Sequence, residues 1–106
     1  AYNGRPQRPR DACANAFDAM EAVGKTVLAV PAATFDDVLK EITRRDALSA
    51  AITQVLRRLN VVRNNHFGHG MITLFALRPS EVDFVYLGCV AGCILLARAF
   101  AQDGIA

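Results

Sequence analysis

The residues best suited to chemistry lie together in one short segment, Arg63–Gly70, which reads Arg-Asn-Asn-His-Phe-Gly-His-Gly and contains both histidines of the chain. The guanidinium of Arg63 can hold a phosphate group through paired, charge-assisted hydrogen bonds. The imidazole of His69 titrates near neutral pH and can exchange a proton with a reacting group. The segment therefore predicts a site that binds a phosphate and moves a proton beside it.

Two other interpretations of this segment apply. His66 and His69 are three residues apart, as metal ligands often are, but no Asp, Glu or Cys lies within ten residues of them. A zinc site would need its other ligands from elsewhere, and no metal or cofactor is predicted. Alternatively, Arg63, Asn64 and His69 have only a structural role at the end of a helix, where Asn and Gly are common.

The composition predicts a single globular domain. The chain has 106 residues, of which 53% are hydrophobic and 21% charged, and its net charge of +2 is too small to indicate a nucleic-acid partner by itself. Basic residues are nevertheless concentrated in the central third. Arg57 and Arg58, together with His66, are candidate substrate contacts, although a solvated helix face explains the two arginines equally well.

The cysteines and the N-terminal segment bear on the compartment and on the domain boundaries. Cys13, Cys89 and Cys93 are odd in number and contain no CxxC pair, which argues against a disulfide framework and favours reduced thiols in the cytoplasm. Residues 1–10 are rich in Pro and Arg and are interpreted as a linker before a helical domain at 11–106. The sequence has no initiator Met, which is expected of a C-terminal piece of a longer protein and equally of a chain shortened by processing.

Apolar residues at spacings of three and four predict four helices. The first begins with Asp11 as N-cap and ends before Pro31, with Gly24 marking a close helix contact. Thr34 and Asp37 form a capping box that opens a short helix to about Thr43. Its apolar face is predicted to consist of Phe35, Val38, Leu39 and Ile42.

Asp46 is expected to cap a third helix, and Arg63 continues the apolar stripe of that helix. An arginine at a core-facing position needs an ionic partner or an anion, because an unpaired buried charge is costly. The stripe consists of Leu48, Ala51, Ile52, Val55, Leu56, Leu59 and Val62.

Ser80 and Asp83 are expected to cap a last helix that runs from about Glu81 to Gln102, before a stop at Gly104. It is almost entirely apolar from Phe84 to Ala97, a run too short for a usual membrane span. Gly88 and Gly92 would let another helix approach closely, and Met71–Leu77 is predicted to be a packed loop. The fold class that follows is an all-α bundle of about four helices.

Arg63-Asn64, four further residues and His69 resemble the motif of the HEPN superfamily, a group of small all-α domains. In that motif an Arg and a polar residue are followed, after a short and variable interval, by a His. Gly68-His69-Gly70 is most similar to the branch found at the C-terminus of prokaryotic abortive-infection proteins. The resemblance covers about Asp11 to Gln102. The sequence departs from the family in showing three long helices and one short one, where HEPN bundles usually have four or five helices.

The resemblance implies metal-independent cleavage of RNA at the interface of a homodimer, in a phage-defence or toxin system with an antitoxin or an upstream domain as further partner. His69 would be the general acid or base and Arg63 would hold the phosphate. Asn64 would orient the phosphate or His69. One rival is a non-catalytic HEPN-like domain that binds RNA or a nucleotide, or only dimerises. Another is a structural helical module in which Arg63 is paired internally.

Overall fold

A computed structural model describes residues 9–31, 33–67 and 77–102 and confirms the all-α prediction. Within these residues there are four helices and no strand. The elements are α1 Pro9–Leu28, α2 Phe35–Arg45, α3 Ala50–Val62, a π-helical segment Arg63–Phe67 that continues α3 directly, and α4 Pro79–Gln102.

Helix α4 packs along α1, and this is the most extensive contact between elements of the described chain. The Cys13 thiol donates a hydrogen bond to the Val82 carbonyl, 3.2 Å away, and Met20 lies against Gly92 further along. The contacts advance in the same direction on both helices, so α1 and α4 run parallel. The face of α4 that is buried here carries Val82, Val85, Cys89, Leu96 and Ala99.

Two glycines mark the points where three helices meet, as the sequence predicted for close contacts. A Cβ on Gly24 of α1 would lie 2.8 Å from Val38 Cγ1 of α2 and 3.7 Å from Leu96 of α4. A Cβ on Gly92 would lie 2.5 Å from Met20 Sδ and 3.6 Å from Leu56 of α3. At Gly88 the nearest atom would be Leu59 Cδ2 at 3.5 Å, an ordinary contact distance.

Helix α2 confirms the predicted capping box and apolar face. The Asp37 N–H donates to Thr34 Oγ1, the Thr34 N–H donates to the Asp37 carboxylate, and Phe35, Val38, Leu39 and Ile42 are all buried. Arg45 ties the helix to α1, since its guanidinium donates to the Leu28 carbonyl at 3.0 Å and also pairs with Glu41. Hydrogen bonds from Arg44 and Arg45 lower the pKa of Glu41 to about 2.

The role predicted for Asp46 is wrong. Asp46 is the left-handed C-cap of α2, with φ of 53°, and Ser49 is the N-cap of α3 through its hydroxyl, which accepts from the Ile52 N–H. The N–H groups of Asp46 and Ala47 bond back to Thr43 and Ile42, which closes α2 as a Schellman motif. Asp tolerates this backbone conformation better than most residues, so a residue type common to both helix ends misled the prediction.

Two predicted helix starts are displaced, whereas the end of the first helix before Pro31 is confirmed. α1 begins at Pro9, two residues before Asp11, because proline is favoured in a first helical turn. It ends at Leu28, where Ala29 has a φ of 58° and Val30 N–H bonds to Lys25 O, so Pro31 follows the stop. α4 begins at Pro79 with the Glu81 carboxylate accepting from the Arg78 N–H, so Ser80 and Asp83 lie inside the helix.

The buried face of α3 is rotated from the predicted apolar stripe. Thr53, Leu56 and Asn60 are buried, whereas Ile52 and Val55 are 41% and 56% exposed. Thr53 is accommodated because its hydroxyl donates to the Ser49 carbonyl one turn earlier. Leu48, Leu59 and Val62 of the stripe are half-buried against the core, and Ile52 and Val55 stay exposed because α3 makes only a limited contact with α4.

The stretch Pro79–Ala101 of α4 is long and apolar enough to cross a membrane, judged on length and composition alone, and a core helix of a globular protein passes the same test. This stretch is longer than the apolar run from Phe84 to Ala97 because it includes the polar residues at both ends of the helix. Gly104, like residues 71–76 of the predicted packed loop, lies outside the described residues.

Substituting the glycines by alanine should have opposite effects on stability at different positions. Gly24→Ala should lower the free energy of unfolding by about 1–3 kcal/mol, because the fully buried Val38 cannot move aside. Gly88→Ala should raise it by about 0.5–1 kcal/mol, because the site has room and alanine favours the helix. Urea unfolding followed by circular dichroism measures both, and equal effects of the two substitutions would contradict the packing described.

Candidate functional site

Arg63 lies where the backbone changes from α-helix to π-helix. Its N–H still bonds to the carbonyls of Asn60 and Leu59, and the wider turns continue to Phe67. It follows the buried Leu56 and Asn60 at helical spacing, so its side chain points back toward α1 and is only 23% exposed. π-helical segments are rare and are found frequently at functional sites.

Two carboxylates on successive turns of α1 hold the Arg63 guanidinium. Nη1 lies 2.6 Å from Glu21 Oε1, and Nη2 lies 2.9 Å from Asp18 Oδ1. The guanidinium carbon also lies 6.0 Å from the centroid of the buried Phe17 ring. Arg63 therefore has the internal partners that its core-facing position requires, which is also the arrangement expected if its role is purely structural.

The two carboxylates differ in their surroundings. The Glu21 side chain is 22% exposed and also pairs with Lys25, at 3.5 Å. Burial raises the pKa of Glu21, but the hydrogen bond and charge of Arg63 and the charge of Lys25 outweigh it, so the pKa is lowered overall. The Asp18 side chain is 69% exposed and lies largely in water.

The remaining residues of the motif are only partly described. Asn64 and Asn65 are both exposed, directly after Arg63. The backbone of His66 belongs to the π-helical segment, and its side chain lies outside the described part of the structure, as do Gly68, His69 and Gly70. The predicted pairing of Arg63 with His69 therefore stays a prediction.

Arg57 and Arg58 do not face the same way as Arg63. At about 100° per residue, they lie about 120° and about 140° from Arg63 around the helix axis, on opposite sides. Arg57 lines a small cavity of about 130 Å³ beside Thr43 and Asp46, at the junction of α2 and α3. Arg58 lines a groove between α3 and α4. A substrate held by Arg63 would have to extend around α3 to reach either of them.

The groove between α3 and α4 is the second candidate site. It has a volume of about 660 Å³, and its walls are almost entirely apolar. Phe84 of α4 and Val55 of α3 line it although they are 73% and 56% exposed, and Arg58 and Glu81 are its charged residues. We call this surface the α3/α4 groove, and its lining also includes Ile52, Leu59, Val62, Leu77, Gly88 and Leu95.

The cysteines offer no second reactive site. Cys13 and Cys89 are buried and Cys93 is half-buried, and none of the three is in a disulfide. Burial raises the pKa of Cys89 to about 12, which keeps it protonated and unreactive. Among the described residues, no three His, Cys, Asp or Glu side chains are grouped so as to hold a metal ion.

The sequence did not single out Asp18 and Glu21, the partners of Arg63. They are 45 and 42 residues away along the chain. The only local signal is their spacing of three on α1, which places two carboxylates on one helix face next to Phe17. That spacing is common on solvated helices, so it did not distinguish them.

Comparison with protein-family models, with curated proteins and with solved structures finds no match for this chain. The resemblance to the HEPN superfamily consequently depends on the motif beginning at Arg63 and on the order of the helices around it.

The two ion pairs of Arg63 should differ in strength. A double-mutant cycle with Arg63→Met and Glu21→Gln should give a coupling of about 1 kcal/mol, because both side chains are largely shielded from water. The cycle with Asp18→Asn should give a smaller coupling, since Asp18 is mostly solvated. Urea unfolding of the single and double variants measures both, and an equal or larger coupling for Asp18 would contradict this difference.

Proposed function

We propose that this chain is an HEPN-like domain that cleaves RNA without a metal ion, in the cytoplasm, as part of a phage-defence or toxin system. The observation that carries the proposal is the placement of Arg63, held in a fixed orientation where α3 turns into a π-helical segment and followed at once by the exposed Asn64. His69 follows two residues after that segment ends. Helix order and motif position support the same assignment.

The chemistry is an internal transesterification of the RNA backbone. A base removes the proton of the ribose 2′-OH, the 2′-oxygen attacks the neighbouring phosphorus, and the 5′-oxygen leaves with a proton from an acid. His69 supplies or accepts one of these protons, and Arg63 stabilises the negative charge that develops on the phosphate. Asn64 orients the phosphate or the imidazole. The products are a 2′,3′-cyclic phosphate and a 5′-hydroxyl.

The test is cleavage of end-labelled RNA in EDTA. Wild type should produce 2′,3′-cyclic phosphate ends, and His69→Ala should slow cleavage by about 10²–10⁴-fold, the usual contribution of a positioned acid or base. His66→Ala is compared in the same assay, because His66 is a candidate substrate contact that is not at the histidine position of the motif, and it should slow cleavage far less than His69→Ala. Cleavage by both wild type and His69→Ala at equal rates would contradict the mechanism, and no cleavage by wild type would contradict the function.

The α3/α4 groove favours a second candidate function, self-association of a non-catalytic HEPN-like domain. Contiguous exposed apolar patches on a soluble monomer are usually small, and larger ones mark interaction surfaces. Here Phe84 of α4, which is 73% exposed, lines the groove together with the exposed Ile52 and Val55 of α3, and Leu87 and Ile94 elsewhere on α4 are 63% and 49% exposed. Water exclusion from this surface would stabilise an association.

A second copy of the same chain is the occupant that the groove fits best. Arg58 on α3 and Glu81 on α4 carry opposite charges on the same groove, so two copies related by a two-fold axis can pair each Arg58 with the partner's acidic residue. The small residues Gly88 and Ala91 on the groove side of α4 let a helix approach closely. Val62, at one end of the groove, directly precedes Arg63, so a second copy would lie next to the motif.

Two valines of α3 provide a matched test of this association. Val55 lines the α3/α4 groove, whereas Val61 is 42% exposed on the same helix and is not part of the lining. Val55→Asp should convert a dimer into a monomer in analytical ultracentrifugation, and Val61→Asp should leave the dimer intact. A monomeric wild type would overturn the proposal, as would equal effects of the two substitutions. Binding of wild type to phospholipid vesicles would show that the groove and α4 meet a membrane instead.

A further inference from the structure

The Arg63 guanidinium, which would bind a phosphate, is already bonded to two carboxylates. A guanidinium holds a phosphate best through two parallel N–H groups. In this structure Nη1 is bonded to Glu21 and Nη2 to Asp18, so each of the two terminal nitrogens already carries a carboxylate. A phosphate that approaches Arg63 therefore has to displace one carboxylate or share a nitrogen with it.

Asp18 is the carboxylate that can leave more easily. Its side chain is 69% exposed, so water replaces Arg63 as its hydrogen-bond partner when it moves away. Glu21 is 22% exposed, is held from its other side by Lys25, and bonds to Arg63 at the shorter distance of 2.6 Å. Releasing Glu21 would leave a shielded negative charge with one partner fewer, and this costs more free energy than releasing the solvated Asp18.

We infer that the two carboxylates act on Arg63 in different ways: Glu21 is a positioning residue that fixes the guanidinium, and Asp18 occupies the edge where an RNA phosphate binds. This inference rests on the proposed function at Arg63. Phosphate binding then exchanges one anion for another on Nη2, while Glu21 and the Phe17 ring keep the guanidinium oriented. Asp18 lowers the affinity for RNA and Glu21 supports the reaction itself.

The first experiment measures binding to a fluorescein-labelled single-stranded RNA with 2′-O-methyl nucleotides, which cannot be cleaved through the 2′-OH. Asp18→Asn should bind about two- to fivefold more tightly than wild type in fluorescence anisotropy, because a competing and repelling charge is removed. Asp36→Asn is the control: it removes the same charge from an exposed residue of α2 that pairs with Lys40, and should change affinity much less. The gain should disappear when Arg63→Ala is added to Asp18→Asn.

The second experiment separates the two roles by kinetics on unmodified RNA. Asp18→Asn should lower KM with little change in kcat, whereas Glu21→Gln should lower kcat and Glu21→Asp should restore part of it. Circular dichroism checks that each variant is folded at the assay temperature. A purely structural pair would change stability without this division between KM and kcat.

The outcomes separate this inference from the proposed function. If Asp18→Asn binds no more tightly than Asp36→Asn, or if its gain survives Arg63→Ala, the inference is wrong even when wild type cleaves RNA. If neither wild type nor Asp18→Asn binds RNA, the inference is equally wrong. If binding behaves as expected but wild type does not cleave, the assignment of Asp18 stands and the nuclease function fails.

Discussion

Helix α4 carries apolar side chains on nearly every side, and leaving such a surface in water costs a large amount of free energy. Helix α1 covers one side by lying parallel to α4, at a distance that the glycines Gly24 and Gly92 permit. Helix α2 then packs its buried face against α1 and α3, with Arg45 bonded to the end of α1. The α1–α4 pair is thus the base on which α2 and, through α2, α3 are placed.

The placement of α1 also decides the surroundings of Arg63. With Phe17 buried in the core, the neighbouring positions of α1 place Asp18 and Glu21 beside the end of α3. The guanidinium is thereby held in one orientation over the Phe17 ring. A structural role and a role in phosphate binding both require this orientation, so the ion pairs alone agree with either.

Helix α3 connects the two candidate sites. One face, with Leu56 and Asn60, enters the core and ends at Arg63, while the neighbouring face, with Ile52 and Val55, is left exposed beside α4. Covering that exposed surface would stabilise the fold and would bring the covering chain close to the beginning of the motif at Arg63. The α3/α4 groove and the motif at Arg63 are therefore adjacent on one helix.

The sequence by itself determined the fold class and the local structure of several elements. Helical spacing predicted all four helices, and the Thr34–Asp37 box and the buried face of α2 were predicted correctly, because both depend on residues within one or two turns. The need of Arg63 for a partner was also predictable, since a charge at a core-facing position must be compensated. Asp46 was assigned to the wrong helix end, and Ser80 was predicted as an N-cap although it lies in the first turn of α4, because several residue types suit more than one position at a helix end.

Only the tertiary structure decided which partners the predicted residues meet. The identity of Asp18 and Glu21 depends on the rotation of α1 against α3, and the exposed part of the α3 stripe depends on how far α3 stands from α4. Neither is visible in local spacing, since helical periodicity specifies that a face is apolar but not which surface covers it. The sequence therefore determined that Arg63 must have an ionic partner, and the packing of α1 decided which residues provide it.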